Sequence, residues 1–187
     1  MKKQNFKNFL GLRKLSTREI CSLGLLLAIT VIMAMFFTIR IGTGIKIPTK
    51  FLPIAISAML FGPLWGGVIG ILADLLAYMF NPVAGFLPQI TFVEFLYGFT
   101  YGLVLKNISR SSSGYVKGIL CVIFQIVFLH LFLTSYFLIP IMGNNYSWIL
   151  TYRLTPAIIN TVLQIAGICF LVTYSDTFRK ISGGVKL

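Results

Sequence analysis

The chain has 187 residues, of which 57% are hydrophobic and 11% charged, with a mean hydropathy of +0.91 and a net charge of +12. One small soluble core cannot hide that much apolar surface, so the composition excludes an ordinary soluble domain and points to an integral membrane protein. The basic residues gather at the ends of apolar runs rather than on one amphipathic face, so membrane topology, not nucleic-acid binding, accounts for the charge.

The hydropathy pattern predicts an all-α fold, a bundle of six transmembrane helices. They run roughly from Arg18 to Ile39, Phe51 to Gly62, Leu64 to Phe80, Gln89 to Leu105, Val116 to Ile139 and Thr155 to Tyr174. Most approach the ~20 residues that cross a bilayer. A basic cytoplasmic segment, 1–17, precedes the membrane domain, 18–175, and a cytoplasmic tail, 176–187, follows it. The first run is too long for a signal peptide and no small-x-small cleavage site precedes a soluble domain, so it reads as a retained helix. The second run is short, and merging it with the third would leave five spans. Gly62-Pro63 argues against the merger, because proline lacks an amide donor and restricts the residue before it.

Lysine and arginine set the orientation. With the N-terminus inside, twelve cations fall on the cytoplasmic side, and only Arg40, Lys46, Lys50 and Arg153 fall outside. That bias fits an even number of spans with both ends in the cytoplasm.

The familiar catalytic and energising motifs are missing. The sequence has no Gly-Lys dipeptide, which excludes a GxxxxGK phosphate loop and ATP hydrolysis of that kind by this chain. His130 is the single histidine, so multi-histidine zinc sites are excluded. Cys21, Cys121 and Cys169 lie in different spans without metal-ligand spacing and read as packing residues. No nucleophile, base and orienting acid come together, so neither an enzyme nor a cofactor is expected.

A binding pattern remains. The loop Arg40-Ile-Gly-Thr-Gly-Ile-Lys46-Ile-Pro-Thr-Lys50 combines turn-forming glycines with three cations. It reads either as a lid bringing positive charge to an anionic ligand or as a solvated loop. Asp74 and Glu94 lie inside spans, where an acid either meets a ligand or braces helices. Phe92, Phe95 and Phe99 share one face of the fourth span, with Tyr97 and Tyr101 on an adjacent stripe. Such rings serve as packing or as stacking surfaces for a flat ligand.

The run Phe51-Leu-Pro-Ile through Phe61-Gly-Pro-Leu-Trp-Gly-Gly to Asp74, followed by Phe80-Asn-Pro82, Gly85-Phe-Leu-Pro88 and Tyr97-Gly-Phe-Thr-Tyr-Gly-Leu103, resembles the S components of energy-coupling factor (ECF) vitamin transporters, most of all their folate-specific branch. The likeness covers Gly24 to Leu105 well, and the C-terminal half only through hydropathy and Arg153. It implies a substrate-binding subunit of an ABC-type importer in the cell membrane of a Gram-positive bacterium, working with a transmembrane coupling subunit and two cytoplasmic ATPases. It implies folate as ligand, with Arg40, Lys46, Asp74, Phe92, Tyr97 and Arg153 as candidate contacts. Arg40 is the foremost ligand-facing charge, and Asp74 belongs to the scaffold beside the cavity or touches the pterin directly. Gly24 and Ala28 stand where the family places its small-xxx-small signature for docking the coupling subunit, a spacing that equally permits internal packing. An S component for riboflavin, pantothenate or a queuosine precursor would share the architecture. A stand-alone secondary transporter is disfavoured by the lack of an evident inverted repeat.

Overall fold

The computed structural model describes residues 11, 15–36, 39–41, 45–47, 49–80, 86–106, 108, 111–137, 146–175 and 177, with backbone alone at 39–41, 45–47, 146–153 and 155–156. The segments 1–17 and 176–187 fall almost wholly outside these residues, as does the 81–85 turn.

In chain order the elements are α1 (Thr17–Phe36), β1 (Ile39–Ile41), β2 (Ile45–Ile47), α2 (Phe51–Phe61), α3 (Pro63–Phe80), α4 (Pro88–Leu105), α5 (Ser112–Phe137) and α6 (Tyr146–Thr173). The protein is thus an all-α bundle of six helices among the described residues, with one short hairpin outside it. By length and composition α1, α3 and α5 can each cross a membrane. Large apolar side chains stand exposed along the bundle, among them Ile20, Leu25, Ile32, Leu120, Val127 and Val162. Exposed apolar side chains in this number call for a lipid or protein covering.

Local chemistry sets the boundaries. Ser16 opens α1 with the S-x-x-E pattern of a capping box, and its backbone N–H donates to Glu19 Oε2 at 2.8 Å. Gly62 ends α2 at φ 105°, a conformation that suits glycine, and Pro63 starts α3, where a missing N–H costs nothing. The chain folds back at this corner, so that a Cβ on Gly66 would meet Ala58. Six helices, not five, follow from that reversal.

Two expectations need correcting. The segment after α1 is not merely a glycine loop. Its Ile-Arg-Ile and Ile-Lys-Ile runs pair as an antiparallel ladder, with Ile39 opposite Ile47, Arg40 opposite Lys46 and Ile41 opposite Ile45. The alternation of isoleucine with a cation is the period-two pattern of a strand. The sixth helix begins at Tyr146, not at Thr155, so Arg153 lies two turns inside it rather than at its start. Pro156 resembles a helix start in sequence because proline is tolerated in the first turn, but here the helix runs through it.

The tightest packing joins α3 to α4. Gly66 and Gly70 form a small-residue stripe on α3 and Gly98 and Gly102 form one on α4. Each glycine stands where a Cβ would strike the partner helix: Gly98 against the Gly66 backbone, Gly102 against Pro63, and Gly70 against the Glu94 carbonyl at 2.5 Å. Stripes of this kind let helix backbones touch and fix their register. The register is antiparallel, so the two stripes run out together at the end where Asp74 and Glu94 lie.

Candidate ligand-binding site

Continuing each stripe by one turn reaches the acids. Asp74 follows Gly70 by four residues, and Glu94 precedes Gly98 by four, so the glycine contacts that set the α3–α4 register also bring the two carboxylates to one end of the bundle. α2 contributes the counter-charge. Its 11 residues rise only about 16 Å, well short of a hydrocarbon core. Lys50, at its start, therefore sits at the depth of Asp74, which stands 11 residues along α3 from the same Gly62-Pro63 corner.

Lys50 Nζ lies 2.8 Å from Glu94 Oε1 and 3.9 Å from Asp74 Oδ1. Thr91, one turn before Glu94, donates its hydroxyl to Asp74 Oδ2 at 2.8 Å. The side chains are mostly covered, Lys50 and Glu94 to 17% exposure and Asp74 to 25%. One cation against two carboxylates leaves the cluster one unit negative when all are ionised. Glu94 Oε2 makes no hydrogen bond among the described residues and keeps acceptor capacity for a donor.

The hairpin adjoins this cluster, because only Pro48 and Thr49 separate β2 from Lys50. The ladder sets the Arg40 and Lys46 positions opposite one another, and β2 lies against α6, the helix that carries Arg153. The side chains of Arg40, Lys46 and Arg153 lie outside the described residues.

The aromatic candidates separate. Phe92 is 54% exposed and stacks on Phe95, which stacks in turn on Phe99, forming a ladder along the side of α4. Tyr97 lies three residues after Glu94, and its backbone carbonyl accepts a hydrogen bond from Gln125 Nε2 of α5 at 3.2 Å. Gln125 is fully buried, also donates to Thr100 Oγ1 at 2.7 Å, and leaves its own Oε1 without a partner among the described residues. Tyr101 donates to Gln164 Oε1 of α6 at 3.2 Å. A polar seam thus continues from the acid cluster between α4, α5 and α6. Gln125 opens a π-helical stretch, Gln125–Leu133, an irregularity common at functional sites.

Gly24 and Ala28 occupy the exposed side of α1, and a Cβ on Gly24 would meet nothing within 4 Å. This face is not used for packing among the described residues.

Sequence reasoning singled out Asp74, Glu94 and Lys50 separately and did not join them. It also passed over Thr91, Gln125 and Gln164, whose isolated side chains carry no spacing signal.

Comparison with known proteins adds four findings. A family model, "ECF-type riboflavin transporter, S component", matches residues 14–175. "Folate transporter FolT" of Clostridium novyi (strain NT) is 38% identical over 69 residues, an alignment spanning 37% of this chain and 37% of that protein. The crystal structure of FolT bound with folic acid superposes with a TM-score of 0.75 at 28% identity, covering 84% of this chain and 94% of that one. The structure of an S component of a bacterial ECF transporter superposes with a TM-score of 0.66 at 20% identity, over 87% of this chain and 98% of that one, a likeness of fold.

Proposed function

Because the chain belongs to the family of ECF-type riboflavin transporter S components, matched across residues 14–175, we propose that it is the membrane-embedded binding subunit of an ECF importer and that its substrate is folate. The observation that carries the choice of folate is the site's two poles. At one pole, partly exposed Glu94 and Asp74 offer acceptor oxygens; at the other, the hairpin opposes the Arg40 and Lys46 positions. A pterin ring offers amino and ring N–H donors to the first pole, and the glutamate tail of folate offers carboxylates to the second. The likeness to a folate-bound structure over 84% of this chain supports the same reading.

In this proposal Arg40 and Lys46, with Arg153 of the adjoining helix, receive the anionic tail, and Tyr97 flanks the ring. Phe92, out on the side of α4, contributes to the stack that holds the helix. The hairpin faces the outside of the cell membrane of a Gram-positive bacterium, and both chain ends lie in the cytoplasm, as the cation bias favours. The chain binds rather than catalyses. Energy comes from two ATPase subunits through a coupling subunit that docks on the Gly24–Ala28 face. That division of labour suits a sequence without a phosphate loop.

Riboflavin is the second reading, favoured by the name of the matched family. Its isoalloxazine ring would stack as well, but it brings no carboxylate to the cationic hairpin.

Vesicle uptake tests the assignment. The chain reconstituted with a coupling module and ATP should accumulate labelled folate, and the chain alone under a proton gradient should not. Uptake by the chain alone would make it a secondary transporter.

A further inference from the structure

A recess lies at the opposite end of the bundle from Lys50, between α4 and α5, with a volume of about 670 Å³. That is within the usual range for small-molecule pockets, about 300–1,000 Å³. Its lining changes along its length. Ser111, Ser113 and Lys117 form one end, at the start of α5, while Leu103, Leu120 and Phe124 form the walls deeper along the helices. These three apolar side chains are 43%, 59% and 50% exposed, so the groove opens sideways onto the apolar flank of the bundle.

The polar end is positive. Lys117 is the one charged residue among those that line the recess, and no carboxylate lines it. Lys117 forms no ion pair among the described residues. The Ser111 hydroxyl does not cap α5; its carbonyl takes the Gly114 and Tyr115 N–H groups, which leaves the Ser112 and Ser113 amides at the positive end of the helix with donor capacity.

We propose that this groove binds an anionic phospholipid, with the phosphate against Lys117 and the serine hydroxyls and an acyl chain along Leu103, Leu120 and Phe124. A soluble anion would have no use for the apolar walls, and a zwitterionic lipid would bring its own quaternary ammonium to the end that carries Lys117. Basic recesses between helix ends are where lipid headgroups are recognised.

The test is native mass spectrometry of the full-length protein released from phosphatidylcholine nanodiscs containing a minor fraction of phosphatidylglycerol. Wild type should retain phosphatidylglycerol over phosphatidylcholine by about five-fold relative to the bulk ratio, the effect of one surface cation. Lys117→Gln should remove the preference, and Leu120→Trp, which fills the apolar end, should reduce retention of both lipids. Both positions are exposed, so ligand binding at the Lys50 end should be unchanged and will report an intact fold. Equal retention of the two lipids by wild type, or unchanged retention in both variants, would overturn the proposal. If the variants impair assembly with a coupling subunit but not lipid retention, the groove is a protein interface and the lipid site is refuted.

Discussion

Lys50 is the residue on which the site's electrostatics turn. Two carboxylates at membrane depth are costly unless neutralised or paired, and the 2.8 Å contact to Glu94 together with the Thr91 bond to Asp74 supplies that pairing. Removing one partner of a buried ion pair typically costs about 3–5 kcal/mol. With Asp74 and Glu94 still 25% and 17% exposed, Lys50→Met should cost less, on the order of 2 kcal/mol. It should lower the thermal midpoint in detergent, and adding Glu94→Gln should restore part of the loss by removing the orphaned charge. A Lys50→Met protein as stable as wild type would mean that the cluster does not brace the helices. Each member of the cluster was visible in the sequence as an out-of-place charge. Their grouping was not, because it depends on how α3 and α4 are aligned and on how short α2 is.

At the scale of elements, the glycines of α4 and of α1 have opposite roles. The Gly98 side of α4 touches backbone, with no flexible side chain able to move aside, whereas Gly24 of α1 faces open space. Gly98→Ala should therefore destabilise the fold by about 1–3 kcal/mol, the usual cost of overpacking, and displace Glu94 from Lys50 with it. Gly24→Leu should leave the melting curve and ligand binding unchanged and reduce association with a coupling subunit, measured by co-purification. A destabilised Gly24→Leu would instead place that face inside the molecule. The spacing Gly66-x-x-x-Gly70-x-x-x-Asp74 and its counterpart Glu94-x-x-x-Gly98-x-x-x-Gly102 were legible as letters. They mark an interface only once the two helices are known to be antiparallel neighbours. The hairpin was legible in the same way, through Ile-Arg-Ile and Ile-Lys-Ile, but three-residue strands are too short for periodicity to outweigh the neighbouring glycines. The early start of α6 was hidden because Tyr146 to Arg153 mixes polar and aromatic residues, which blunts a hydropathy signal.

For the whole molecule, the six-helix plan was readable because a bilayer tolerates few architectures: backbone polar groups must be satisfied within each span, and apolar runs announce themselves. The helices that resulted lie within a few residues of the expected spans except at α6. In the function proposed above, the Lys50 cluster with the hairpin beside it would be the ligand end, and the exposed Gly24–Ala28 face of α1 the docking side, of an importer's binding subunit. Calorimetric titration of the purified chain with folate, and in parallel with riboflavin, tests that account most directly. The account predicts saturable, tight folate binding and no heat from riboflavin. Binding of riboflavin with folate inert would contradict it, and the two-pole site would have to be reassigned to holding the hairpin closed.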